Sequence, residues 1–154
     1  MTNWIDLTKL VPGLNKGQWL HIVKSPLNPL VNTLVEHGFS VFVINGSEIS
    51  DSKSFFRQAK QVFDFPDYFG ENWDAWDDCL GDFKLSLTGQ TAIVWKDADK
   101  TFMSDAKVFI QAVIDLYNMA LSAGSISNSQ PHQVELFLVG NMESFKNALD
   151  FKRE

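Results

Sequence analysis

The chain has 154 residues, 45% of them hydrophobic, with five tryptophans and thirteen phenylalanines. That length fits one domain, and the apolar content supplies a real core and speaks against a disordered chain. The formal net charge of −6, from 19 acidic and 13 basic residues, speaks against nucleic acid or an anionic membrane surface as a direct ligand, because both are held by Lys and Arg. The same charge permits a basic partner, although its first consequence is solubility.

The chain opens MTNWIDLTKL, acidic and polar where a secretory signal would carry a basic start and then an apolar run. No stretch is long enough to span a membrane, so a cytoplasmic location is expected. Residues 1–17 read as an arm punctuated by Pro12, Gly13 and Gly17. The apolar run Trp19 to Val23, bounded by Gly17 and Pro26, predicts a strand. Leu27, Leu30, Val31, Leu34 and Val35 recur at helical spacing over 27–37, and Gly38 follows as a C-cap. Phe39 to Ile44 is a second strand, closed by the turn signal Asn45-Gly46. Strand, helix, strand is the pattern of a βαβ unit.

The alternation continues. Ser52 to Phe63 sets Phe55, Phe56, Ala59, Val62 and Phe63 on one helical face, and Thr91 to Trp95 is a buried-type strand. Ser104 to Ala123 is a long helix with Ser104 as N-cap and Gly124 as C-cap. The polar stretch 125–133 reads as an exposed loop before a last, near-continuously apolar strand, Val134 to Val139. Residues 143–150 predict a short terminal helix. Apolar strands alternating with amphipathic helices give an α/β fold, a small mostly parallel sheet of three to four strands covered by helices.

Chemistry concentrates in residues 61–83, QVFDFPDYFGENWDAWDDCLGDF. Seven acidic residues lie there, Asp64, Asp67, Glu71, Asp74, Asp77, Asp78 and Asp82, interleaved with seven aromatic rings and with no basic residue between Lys60 and Lys84. A helix is predicted from about Gly70 to Gly81. At about 100° per residue, with Glu71 at 0°, Asp74, Asp78 and Asp82 fall at about 300°, 340° and 20°. Phe69, Trp73, Trp76, Leu80 and Phe83 fall between about 120° and 200°, and Asp77, at about 240°, lies on the boundary. Trp76, Leu80 and Phe83 are expected in the core, and Cys79, beside Leu80, as a small buried hydrophobe.

The carboxylate side is unusual. Asp74 with Asp78, and Asp78 with Asp82, are like-charge pairs at i,i+4, each unfavourable by roughly 0.2–0.5 kcal/mol. The N-terminal dipole favours Glu71 and Asp74 only within the first turn. Such carboxylates could act as acid and base in glycoside hydrolysis, but that needs a concave site and a helix face is convex. They could hold Mg²⁺ or Ca²⁺, but the loop spacing of a calcium site is missing. They could be a solvated face with no role. A docking face for a basic protein surface is the reading this pattern favours. Cys79 is the one cysteine, the three histidines are far apart in sequence, and no CxxC occurs, so no Cys/His metal site is expected.

Over this segment the sequence resembles the barstar family, intracellular inhibitors of secreted barnase-type ribonucleases. The residues that carry the resemblance are Pro66, Tyr68-Phe69-Gly70-Glu71-Asn72, Asp74-Ala75 and Asp78-Cys79-Leu80. It covers about residues 39–140, sharply over 65–80 and loosely elsewhere. One domain over 1–154 is expected, with 1–38 as an N-terminal extension that adds a strand and a helix to a 39–140 core. The resemblance implies a stoichiometric inhibitor or immunity protein, not an enzyme and without cofactor. It would plug a cationic ribonuclease site with an acidic helix and the preceding loop. By position, Asp78 matches the family's dominant carboxylate and Asp74 its companion. Tyr68 matches the loop aromatic over the enzyme's site, with Gly70 and Asn72 beside it. Trp73 would add contact area. Asp77 stands where the archetype has an interface aromatic, and Trp73 and Trp76 replace leucines. The archetype's second-helix carboxylate falls nearest Met119. The alternative is a barstar-fold interaction module that binds a different basic protein, and a distant third is a metal-dependent hydrolase using the same carboxylates.

Overall fold

The computed structural model describes residues 4–14, 18, 20–24, 27–125, 131–141 and 143. Among these, β1 (Leu20–Val23), β2 (Ser40–Asn45), β3 (Thr91–Lys96) and β4 (Val134–Val139) form one all-parallel sheet in the order β1-β4-β3-β2. β4 is buried along its whole length, and β3 at every residue but Lys96. These strands sit in the middle, where both faces need apolar side chains. The two strands flanking α1 (Leu27–Glu36) lie at opposite edges of the sheet, so β4 and β3 separate them. Strand–helix–strand patterning carries no information on that order. Gly38, two residues after the last residue of α1, adopts a φ of +88°, the left-handed exit expected of a C-cap glycine.

Side chains alternate between two apolar layers. Ile44, Ile93, Trp95, Val134, Leu136 and Leu138 meet α2 (Ser52–Val62), α3 (Trp73–Leu85) and α5 (Ala106–Gly124) on one face. Ala92, Val94, Phe137 and Val139 lie on the other face under Leu7, Val11, Leu30 and Leu34. Residues before β2 therefore build a second layer of their own. The first layer is dominated by rings. Phe55 of α2 is fully buried, with its centroid 5.0 Å from that of Trp76, 5.8 Å from Trp73 and 5.9 Å from Trp95.

Several boundaries differ from expectation. The acidic helix runs from Trp73 to Leu85, not from Gly70 to Gly81. Gly81 lies on its exposed side, and a Cβ placed there would meet nothing within 4 Å, so it is accommodated within the helix instead of ending it. Asp105, not Ser104, caps α5, its Oδ1 accepting from the Val108 N–H at 3.2 Å. Ser104 instead closes α4 (Ala98–Ser104), a short helix that the sequence pattern does not announce. Gly124 is the last residue of α5, and Ser125 is its C-cap. Gln133, expected in an exposed loop, is buried. Trp19, residues 126–130 and all but Glu143 of the predicted 143–150 helix lie outside the described residues.

Candidate protein-binding face

The loop into α3 is built to start the helix abruptly. Asn72 caps it, its Oδ1 accepting from the Ala75 N–H at 2.8 Å while its Nδ2 donates to the Gly70 carbonyl at 3.1 Å. A Cβ on Gly70 would stand 3.1 Å from that Nδ2, tight enough to disturb the cap. Glu71 takes a φ of 50°, a left-handed conformation uncommon outside glycine. It therefore precedes the helix and does not share the helical carboxylate face, contrary to the projection from 70–81. Tyr68 is 78% exposed on the same loop, while its neighbours Phe65 and Phe69 are buried with centroids 5.1 Å apart.

α3 divides as its period requires. Trp76, Cys79, Leu80 and Phe83 are buried. Trp73 is half-buried, its ring 4.9 Å from that of Phe56 and 5.8 Å from that of Phe55. Asp74, Asp77, Asp78 and Asp82 are exposed. Asp77, placed on the boundary by projection, belongs to the exposed acidic side. Because the helix extends to Leu85, Lys84 lies in its last turn. Its Nζ donates to Ser122 Oγ at 2.9 Å, which ties α3 to α5. Burial, with the carboxylates of Asp82 and Asp78 nearby, pushes the Cys79 thiol up, which suits an inert core residue.

A further carboxylate reaches this face from α5. Met119, the position nearest the archetype's second-helix acid, is buried. One turn earlier, Asp115 is half-buried between the helices. The indole N–H of fully buried Trp76 donates to its Oδ2 at 2.9 Å, and Gln111 Nε2 donates to both of its oxygens at 3.1 Å. The consequence appears at Asp77. Its carboxyl is held above the usual range, first by desolvation and then by the charges of Asp115, Asp74 and Asp78. Among the described residues, every charged neighbour that bears on Asp77 is a carboxylate. Asp115 has a signal in the sequence: it is the one acidic residue in α5.

The structure thus gathers Asp74, Asp77 and Asp78 with Asp115 on one surface, with Tyr68 exposed on the loop that leads into the helix and Gly70 and Asn72 shaping its start. It separates Met119 and Glu71 from that group. Among the described residues no cluster of His, Cys, Asp or Glu could hold a metal ion, and no helix is long and apolar enough to cross a membrane. Comparison with known families finds one profile, described as Barstar (barnase inhibitor), that matches residues 39–138. Among curated proteins nothing matches.

Proposed function

The chain belongs to the barstar family, and on that premise we propose that it is a stoichiometric inhibitor, an immunity protein of the cytoplasm, that blocks the cationic active site of a ribonuclease. The family supplies the kind of target: its matched profile is that of a barnase inhibitor, not of an enzyme. The observation that carries the reading to this surface is the crowding of carboxylates from two helices around Asp77, with only like charges among the described residues acting on it. That arrangement costs the free protein stability. It becomes favourable once cationic side chains cover it.

Asp78 and Asp74 would occupy places that RNA phosphates take in the enzyme, and would speed association through their field. Tyr68, with little of its ring covered, would be desolvated on the enzyme surface. Gly70 and Asn72 would hold the loop in shape, and Trp73 would extend the contact from the helix edge. Asp115 is added to this set. No cofactor takes part.

Asp77 favours a second reading, an interaction module for a different basic protein, because a carboxylate there alters the shape and charge of the face. Both readings are tested by retaining partners from lysate on the immobilised protein and washing at rising salt. A small basic ribonuclease released at high salt supports the inhibitor, since screening dissolves an electrostatic interface. A basic protein without nuclease activity supports the module. A partner held equally at all salt concentrations, or by an Asp74/Asp78 double alanine variant, would contradict both.

A further inference from the structure

Residues 4–36 lie outside the matched stretch 39–138, and the described ones among them cover one face and one edge of the sheet. At their junction with β4 sits a buried polar chain. β4 reads Val-Glu-Leu-Phe-Leu-Val, and Glu135 is its one charge, 6% exposed. Its Oε1 lies 2.6 Å from His21 Nε2 on β1, and its Oε2 accepts from Gln133 Nε2 at 3.3 Å. Gln133 then meets the N-terminal arm at two points. Its Nε2 donates to the Ile5 carbonyl and its Oε1 accepts from the Ile5 N–H, both at 2.8 Å. His21 is also buried, its ring centroid 4.8 Å from that of Phe137.

A buried ionisable pair adds little stability over apolar residues of the same volume, but breaking it is costly. What such a pair can supply is identity and register. A slip of β1 by one residue would send His21 to the opposite face. A slip by two would carry its imidazole away and leave Glu135 buried without it. Glu135 also matters when β1 is absent, for β4 is then the edge of the sheet. An inward-pointing charge on an edge strand discourages foreign strands from pairing there. Leu7, Val11, Val23, Leu30 and Leu34 belong to an apolar cluster distinct from the one under α2, α3 and α5, which only the partly buried Leu20 and Ile22 of this segment reach.

We infer that the described residues between 4 and 36 form a strap that undocks from the rest of the domain as a unit, with the His21–Glu135–Gln133 chain as its lock. Undocking bares the second face of the sheet and the β4 edge. It leaves the layer that carries α3 and its acidic face in place.

Native-state hydrogen exchange on the full chain tests this, with His21→Ala and Glu135→Gln as variants. The strap predicts that amides of β1 and α1 exchange through an opening that spares β3 and α5. Each variant should lower protection of the strap amides about tenfold or more, the scale of a lost hydrogen bond to a charged group, and keep them less protected than the amides of β3 and α5. If Glu135→Gln fails to fold, His21→Ala, which alters only the strap, carries the test. Equal protection of β1 and β3 in the parent overturns the separate unit. Unchanged protection in the folded variants overturns the lock.

Discussion

Replacing Asp115 by alanine and by asparagine separates two contributions of α5 to the acidic face. The Trp76 side chain is fully buried, and its N–H donates to Asp115 Oδ2 at 2.9 Å. Truncation to alanine leaves that donor without its acceptor. A buried donor left unsatisfied costs about 1–3 kcal/mol. Asp115 is only half-buried, so water can reach part of the vacated space, and the lower part of the range applies, about 1–2 kcal/mol. For a chain of this length each kcal/mol moves the melting temperature by roughly 2–4 °C, so Asp115→Ala should melt about 2–8 °C lower. Asparagine keeps an oxygen acceptor and removes the charge, and should stay within about 0.5 kcal/mol of the parent. Urea denaturation followed by tryptophan fluorescence distinguishes them, provided the slope with denaturant is unchanged. The asparagine variant should also let Asp77 titrate lower, though not fully back to the ordinary range, because burial, the larger cause, remains. Equal stability of the two variants, or an unmoved Asp77 titration in Asp115→Asn, would refute the linkage between Trp76, Asp115 and Asp77.

Other residues of the face give sharper expectations for stability than their exposure suggests. Asp77 has a folded-state pKa raised above its unfolded value, so its ionised form is disfavoured by the fold and stability rises as pH falls through the folded value. Asp77→Asn should therefore leave the free protein as stable as the parent or more so at neutral pH, while weakening a cationic partner. A bound cation lowers that pKa, so in the parent this part of the affinity is present above the free-state value and lost as pH falls through it. Calorimetry across pH should show that dependence vanish in the asparagine variant. Asn72→Ala should cost about 1 kcal/mol, the usual loss for an N-cap, read from thermal unfolding; no loss would contradict its capping role. Tyr68→Ala should leave the melting temperature unchanged, because the side chain is 78% exposed, and should weaken partner binding in the same titration.

Much of this architecture is legible in the sequence. β3 and β4 announce themselves as near-continuous apolar runs, and the 3.6-residue period of α3 puts Trp76, Leu80 and Phe83 inside and the aspartates outside. The boundaries of α3 escape a sequence reading for local reasons. Gly81 can continue a helix where no neighbour crowds it, and Glu71 is held off the helix by a left-handed backbone that its side chain does not advertise. Ser104 and Asp105 are both good N-caps, and only the hydrogen bond to Val108 distinguishes them. Strand order and the approach of α5 to α3 depend on contacts distant in sequence. Lone acidic residues within apolar elements, Asp115 in α5 and Glu135 in β4, are the available clues, and each marks a place where two elements meet.

Neutralisation of a cationic ribonuclease by the acidic face of α3 is tested most directly by titrating the protein into a barnase-type ribonuclease and following RNA cleavage, with the parent, Asp78→Ala and Asp82→Ala. Full inhibition at one equivalent is expected of the parent. Asp78→Ala should bind about a hundredfold more weakly or worse, the scale of breaking a desolvated charge pair. Asp82→Ala, at the rim, should fall by less than about tenfold. Undiminished cleavage at excess parent protein, or equal losses in the two folded variants, would contradict that role for the face.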